Sequence, residues 1–77
     1  MSFAKGITSG YFPLGGSISS KKISSVFDGD PSKAWSHMYT YSAHPGGAAA
    51  AIKNLEILDR ENLIDNAKKR GDQLFVR

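Results

Sequence analysis

Gly6, Gly10, Gly15 and Gly16, with Pro13 among them, crowd the first part of the chain too densely for a continuous helix to run through it. Short extended pieces joined by turns are expected instead, with a strand within Leu14–Ser19. Gly15-Gly16-Ser17 lacks the spacing and the lysine of a nucleotide loop and reads as a turn. Beyond His44-Pro45-Gly46-Gly47 the texture reverses. Four alanines from Ala48 to Ala51 raise helix propensity, and Ile52, Leu55 and Leu58 recur on what is predicted to be the core-facing side of a long helix ending at Arg60. A second helix is predicted from Glu61 or Asn62, with Leu63, Ile64, Ala67, Leu74 and Phe75 returning to one side and Gly71 as its weak point. Between these regions, Ser20 is placed to cap a short helix with apolar positions at Ile23, Val26 and Phe27. Asp28-Gly29-Asp30-Pro31 ends that helix, and Trp35 is the large group in the following loop expected to find a pocket. The chain thus divides into a lysine-bearing turn and strand (2–19), a short helix and loop (20–45) and two helices (46–76), an α+β arrangement.

A chain of 77 residues has room for one small core, and such cores rarely supply more than about 3 to 5 kcal/mol without a covalent or metal staple. With no cysteine, disulfides and thiolate metal sites are excluded, and His37 and His44 lack companion ligands. Oligomerisation is the remaining route to stability. Ten basic against seven acidic residues give a net charge of +3, too thin an excess for nucleic-acid binding, and Lys21-Lys22 and Lys68-Lys69-Arg70 read as solvated surface. No apolar run approaches the roughly 20 residues of a membrane span, so an intracellular, cytoplasmic chain is expected.

Lys5 stands between the apolar entry Phe3-Ala4 and the glycine-punctuated stretch Gly6-Ile7-Thr8-Ser9-Gly10-Tyr11. An amine so placed is a candidate nucleophile if its surroundings favour the neutral form, through an apolar pocket or a cationic neighbour. Ala4-Lys5-Gly6-Ile7-Thr8-Ser9-Gly10-Tyr11-Phe12-Pro13-Leu14-Gly15-Gly16, then Tyr39-Thr40-Tyr41-Ser42-Ala43-His44-Pro45, then Ala48 to Leu55, closely resemble the class III aminotransferases, which use pyridoxal phosphate. The resemblance runs from Phe3 to about Leu74.

The resemblance implies a fragment of the large domain of fold type I pyridoxal-phosphate enzymes. It places Lys5 as the amine that bonds the cofactor and moves protons between cofactor and substrate. Thr40 matches the threonine that hydrogen-bonds the cofactor phosphate of a neighbouring subunit, a role suited to a hydroxyl, which donates without adding charge. Tyr39, Tyr41 and His44 are read as loop-shaping groups, with His44 a structural hydrogen-bonding residue, and Ala48–Ala51 is expected to pack closely behind the cofactor. The substrates implied are an amine or amino acid and a keto acid. The phosphate-gripping loop, the aromatic stacked on the cofactor ring and the aspartate that pairs with its pyridine nitrogen all lie upstream of the lysine in the family. Asp28, Asp30 and Asp59 do not match that aspartate. The expectation is therefore an excised or truncated piece, inactive alone and prone to self-association. The alternative is a non-catalytic homo-oligomeric helical module descended from such an enzyme.

Overall fold

Strand pairing holds the first segment together. In a computed structural model describing residues 1–76, β1 (Ser2–Phe3) runs antiparallel to β2 (Gly16–Ser17), with Ser2 opposite Ser17 and Phe3 opposite Gly16. The Ile18 N–H adds a bond to the Met1 carbonyl at 2.8 Å. Gly16-Ser17 is therefore extended rather than a turn, and the predicted strand shrinks to these two residues because β1 offers only two before the chain leaves the pairing and turns at Lys5. Glycine is needed opposite Phe3 for a steric reason. A Cβ on Gly16 would sit 2.7 Å from Phe3 Cζ, inside the ring that lies across the pair.

Ser20 caps α1 (Lys21–Ser24) as expected, its hydroxyl accepting from the Ile23 N–H at 3.4 Å. The helix lasts one turn and tightens into a 3₁₀ turn over Ser25–Phe27. Ser24 and Ser25 donate their hydroxyls back to the carbonyls of Lys21 and Lys22 at 3.3 and 3.1 Å, a local alternative that disfavours longer α structure. A second 3₁₀ turn, Pro31–Lys33, is capped by the Asp30 carboxylate. Trp35 finds no pocket and stays 67% exposed. It meets Phe27 edge-on at 5.4 Å and donates its indole N–H to the His37 carbonyl at 2.7 Å. His37 and Tyr39 continue a ladder of edge-on rings, so this loop packs on itself.

The long helix α2 spans Pro45–Arg60, three residues earlier than the alanine run. Proline is pre-set for a first helical position, and His44 Nδ1 accepts from the N–H groups of Gly46 and Gly47 at 3.0 and 3.4 Å. His44 is thus a structural hydrogen-bonding residue, as expected. The inward face differs from the one predicted. Gly47 and Ala51 are buried and Ala50, Asn54, Ile57 and Leu58 are half-buried, whereas Ile52 and Leu55 remain 59% and 51% exposed. Small residues won that face because side chains of the first segment lie close against it; a Cβ on Gly47 would lie 2.9 Å from Phe12 Cδ1 and 3.3 Å from Leu14 Cδ1.

Asn62 takes a left-handed conformation, φ +50°, between α2 and α3 (Leu63–Val76). Asparagine tolerates this region better than most residues, and the second helix starts just after it. Gly71 does not break α3. Lys68 pairs with Asp72 across it at 2.7 Å and Arg70 donates to Gln73 at 3.0 Å, exposed contacts that each contribute modestly.

Two short strands and three helices make an α+β assembly compatible with a fragment of a larger domain. It is open. The radius of gyration is 17.4 Å, against about 11.5 Å for a compact domain of this length. The accessible surface is 7093 Å², against about 4,600 Å² for a folded monomer of this mass. Ala51 is the one buried hydrophobic side chain among the described residues, while Ile64, Leu74 and Phe75 on α3 are at least 73% exposed. The apolar surface that should stabilise the fold is mostly still in contact with water.

Candidate functional site

Lys5 opens a 3₁₀ turn, Lys5–Thr8, entered from an extended Ala4. Its own φ is +54°, the left-handed region that costs a side-chain-bearing residue about 1 to 2 kcal/mol. Such a conformation persists only where neighbours enforce it, and three sets of bonds do so here. Ile7 and Ser9 donate to the Ala4 and Gly6 carbonyls at 3.3 and 3.0 Å. Ser9 and Gly10, at φ +55° and +80°, then reverse the chain.

Thr8 is the second constraint. It is 1% exposed, and its hydroxyl donates to the Phe12 carbonyl at 2.5 Å while accepting from the Phe12 N–H at 3.3 Å. Both capacities of the buried hydroxyl are satisfied within the loop it closes. Valine has the same shape and neither bond, so Thr8→Val is expected to lower stability by about 1–2 kcal/mol, the cost of stranding buried backbone groups. Urea titration followed by circular dichroism checks this, and an unchanged midpoint would remove Thr8 from the account.

Asn54 is the third, and reaches from α2. Its side-chain amide donates to the Gly6 carbonyl at 3.0 Å and to the Ile7 carbonyl at 3.1 Å. Neither Asn54 nor the latch at Thr8 follows from the apolar periodicity of the sequence. The signal for Asn54 was a poor helix former amid alanine and leucine, one turn beyond Ala51 and two beyond Gly47.

Lys5 itself is exposed. Among the described residues its amine joins no ion pair, and they build no apolar wall around it. Beside the turn lies a cleft of about 440 Å³ whose lining includes Thr8, Ser9, Tyr11, Lys53, Asn54 and Ile57.

Thr40 occupies a separate arm. The Ser42 N–H donates to the Tyr39 carbonyl and the Tyr39 N–H to the Ser42 hydroxyl, both at 3.0 Å, and Ala43 at φ +60° turns the chain into the His44 cap. Thr40 is exposed, and among the described residues its hydroxyl makes no hydrogen bond. Lys5 and Thr40 are not brought into one site within this chain, and neither lines the cleft at the turn. They share an anchor instead. The Phe12 ring lies 4.7 Å from the His44 ring and against Gly47, so the end of the Thr40 arm and the end of the lysine loop meet on the first turn of α2. In chemical type the two exposed groups, a primary amine and a hydroxyl, fit an aldehyde and a phosphate.

The acidic residues have other work. Ser32 donates its hydroxyl and its N–H to the Asp30 carboxylate at 2.8 and 2.9 Å, which holds that carboxyl below its usual range. Glu56 is likewise held low by the Lys53 ammonium that hydrogen-bonds it at 2.8 Å. Among the described residues no cluster of three histidine or acidic side chains could hold a metal ion, and no helix is long and apolar enough to cross a membrane.

The family model for aminotransferase class-III matches residues 1–77, and the chain belongs to that family. It is 50% identical over 70 residues to an uncharacterized aminotransferase, y4uB, of Sinorhizobium fredii, covering 88% of this chain and 15% of that protein. It is 38% identical over 78 residues to the taurine–pyruvate aminotransferase of Bilophila wadsworthia, covering 97% and 17%. To the putrescine–pyruvate aminotransferase of Pseudomonas aeruginosa it is 41% identical over 68 residues, covering 88% and 14%. The chain therefore spans between 14% and 17% of the length of these three relatives. No solved structure matches it.

Proposed function

We propose that this chain is the lysine-bearing segment of a pyridoxal-phosphate-dependent aminotransferase, part of a fold type I large domain acting in the cytoplasm. Lys5 is the amine that bonds the cofactor, Thr40 contacts its phosphate, and the parent reaction moves an amino group between an amine or amino acid and a keto acid. The observation that carries the reading is the lysine turn: an exposed, unpaired amine on a left-handed residue that Thr8 and Asn54 hold in place. Relatives whose names pair taurine or putrescine with pyruvate support the substrate class.

When bound, pyridoxal phosphate supplies an aldehyde and an electron-withdrawing ring. Lys5, through its Nζ, would hold the cofactor at its aldehyde carbon. The same Nζ, when free, would be the group that holds and returns a proton at the substrate carbon. Thr40 donates its O–H to a phosphate oxygen, and its place on an arm apart from Lys5 supports service to the cofactor of a second copy. The 77-residue chain alone is read as inactive, because the described residues supply neither a wall around Lys5 nor an acid for the pyridine nitrogen.

Thr40 gives a direct test. The protein is expected to take up pyridoxal phosphate in preference to pyridoxal, a preference that falls about tenfold in Thr40→Ala and survives in Thr40→Ser, as suits one charge-assisted hydrogen bond. Equal preference in all three proteins would remove Thr40 from the reading.

The exposed Ile52, Leu55, Ile64 and Phe75 favour a second reading, a non-catalytic homo-oligomeric helical module. Sizing over a range of concentrations tests the module: a folded monomer throughout counts against it.

A further inference from the structure

We infer that Asn54 is a positioning residue for the Lys5 amine, a clamp on the lysine turn set into the small-residue face of α2. The inference rests on the proposed role of Lys5 and adds to it the group that aims the side chain. Asn54 Nδ2 carries two hydrogens and spends them on consecutive carbonyls, Gly6 at 3.0 Å and Ile7 at 3.1 Å. Among the described residues these are the only hydrogen bonds between the lysine turn and α2. The Gly6 carbonyl already accepts from the Ser9 N–H at 3.0 Å, so the amide completes its second lone pair and ties the turn's internal bond to the helix.

The placement matters because of what precedes it. Lys5 is left-handed at φ +54°, and the space beside the Gly6 α-carbon is open, since a Cβ there would meet no atom within 4 Å. A peptide unit that is sterically free, next to a residue under strain, swings unless something grips its carbonyl. Asn54 supplies that grip. Rotation of the Gly6 unit would redirect the lysine side chain, so the amide sets where the amine points without touching anything that reacts.

A packing role and a donor role are separable, because Asn54→Asp keeps the shape and removes both donors, placing a carboxylate against two carbonyls. The experiment uses the 77-residue chain, with Asn54→Asp and Asn54→Ala, circular dichroism first establishing that α2 persists. Amide hydrogen exchange is read at Gly6 to Ser9, and pyridoxal phosphate is offered, fixed with borohydride and mapped by peptide mass. In both variants exchange in the turn is expected to quicken by about tenfold, as for loss of a local tether, and the share of label on Lys5 to fall while the share on Lys33, remote in sequence from the change, does not. An Asn54→Asp protein that matches the wild type in both readouts would overturn the inference and leave Asn54 as packing. Label on Lys5 undiminished in both variants, despite faster exchange, would overturn it too. If the wild type places no label on Lys5, the proposed role of that lysine fails, and the positioning role with it, whatever the exchange shows.

Discussion

Lys5→Gly is expected to abolish fixation of pyridoxal phosphate at the turn and, in the same protein, to firm the turn up. The two effects have separate causes. Removing the side chain removes the amine, and no neighbouring lysine shares the turn to replace it. Glycine at φ +54° also escapes the left-handed penalty of about 1 to 2 kcal/mol, partly offset by the extra freedom glycine gives the unfolded chain, for a net gain of about 0.5–1 kcal/mol. Lys5→Val loses the amine as well, but a β-branched residue is a poor fit for that region, so this variant should be less stable than wild type. Urea midpoints and peptide mapping of the three proteins check the pattern. Lys5→Gly that is less stable than Lys5→Val would show that the left-handed geometry is not what the residue experiences in solution.

Gly47→Val should be the most damaging single change to the fold. Gly47 lies where the lysine loop, the Thr40 arm and α2 come together, and the space above it holds the Phe12 ring. A Cβ alone would come 2.9 Å from Phe12 Cδ1 and 3.3 Å from Leu14 Cδ1, and the two methyls of valine deepen the clash. Overpacking here costs about 2–3 kcal/mol, and the displaced ring loses its contact with the His44 ring. Gly47→Ala gains helix propensity against a smaller clash and should lie between the two. Thermal unfolding followed at 222 nm orders the three proteins, and equal midpoints for wild type and Gly47→Val would mean that Phe12 does not pack there.

The elements were legible where local chemistry decides them. Ser20 as a cap, the two long helices, and the break near Glu61 follow from capping groups, helix propensity and the tolerance of Asn62 for a positive φ. The orientation of α2 was not. Hydrophobic periodicity assigns Ile52 and Leu55 to a core on the assumption that the core belongs to the same chain. Here the inward face is Gly47, Ala51 and Asn54, against which the first segment packs closely, and Ile52 and Leu55 face outward. Trp35 failed for a related reason, since a large aromatic finds a pocket only where other walls exist. At the site, the motif pointed to Lys5 and Thr40 as residues, but the bonds that hold the turn, through Thr8 and Asn54, are between positions up to 48 residues apart. No local pattern encodes such a pairing, beyond the oddity of a polar residue on a face of small ones.

The seven lysines of this chain compete for one aldehyde, which makes the distribution of label among them the sharpest test. With limiting pyridoxal phosphate, fixation by borohydride and quantitative peptide mapping, the fixed cofactor is expected to concentrate on Lys5 over Lys21, Lys22, Lys33, Lys53, Lys68 and Lys69. Label spread evenly over the exposed amines, with Lys5 no more modified than Lys33, would contradict a dedicated cofactor lysine.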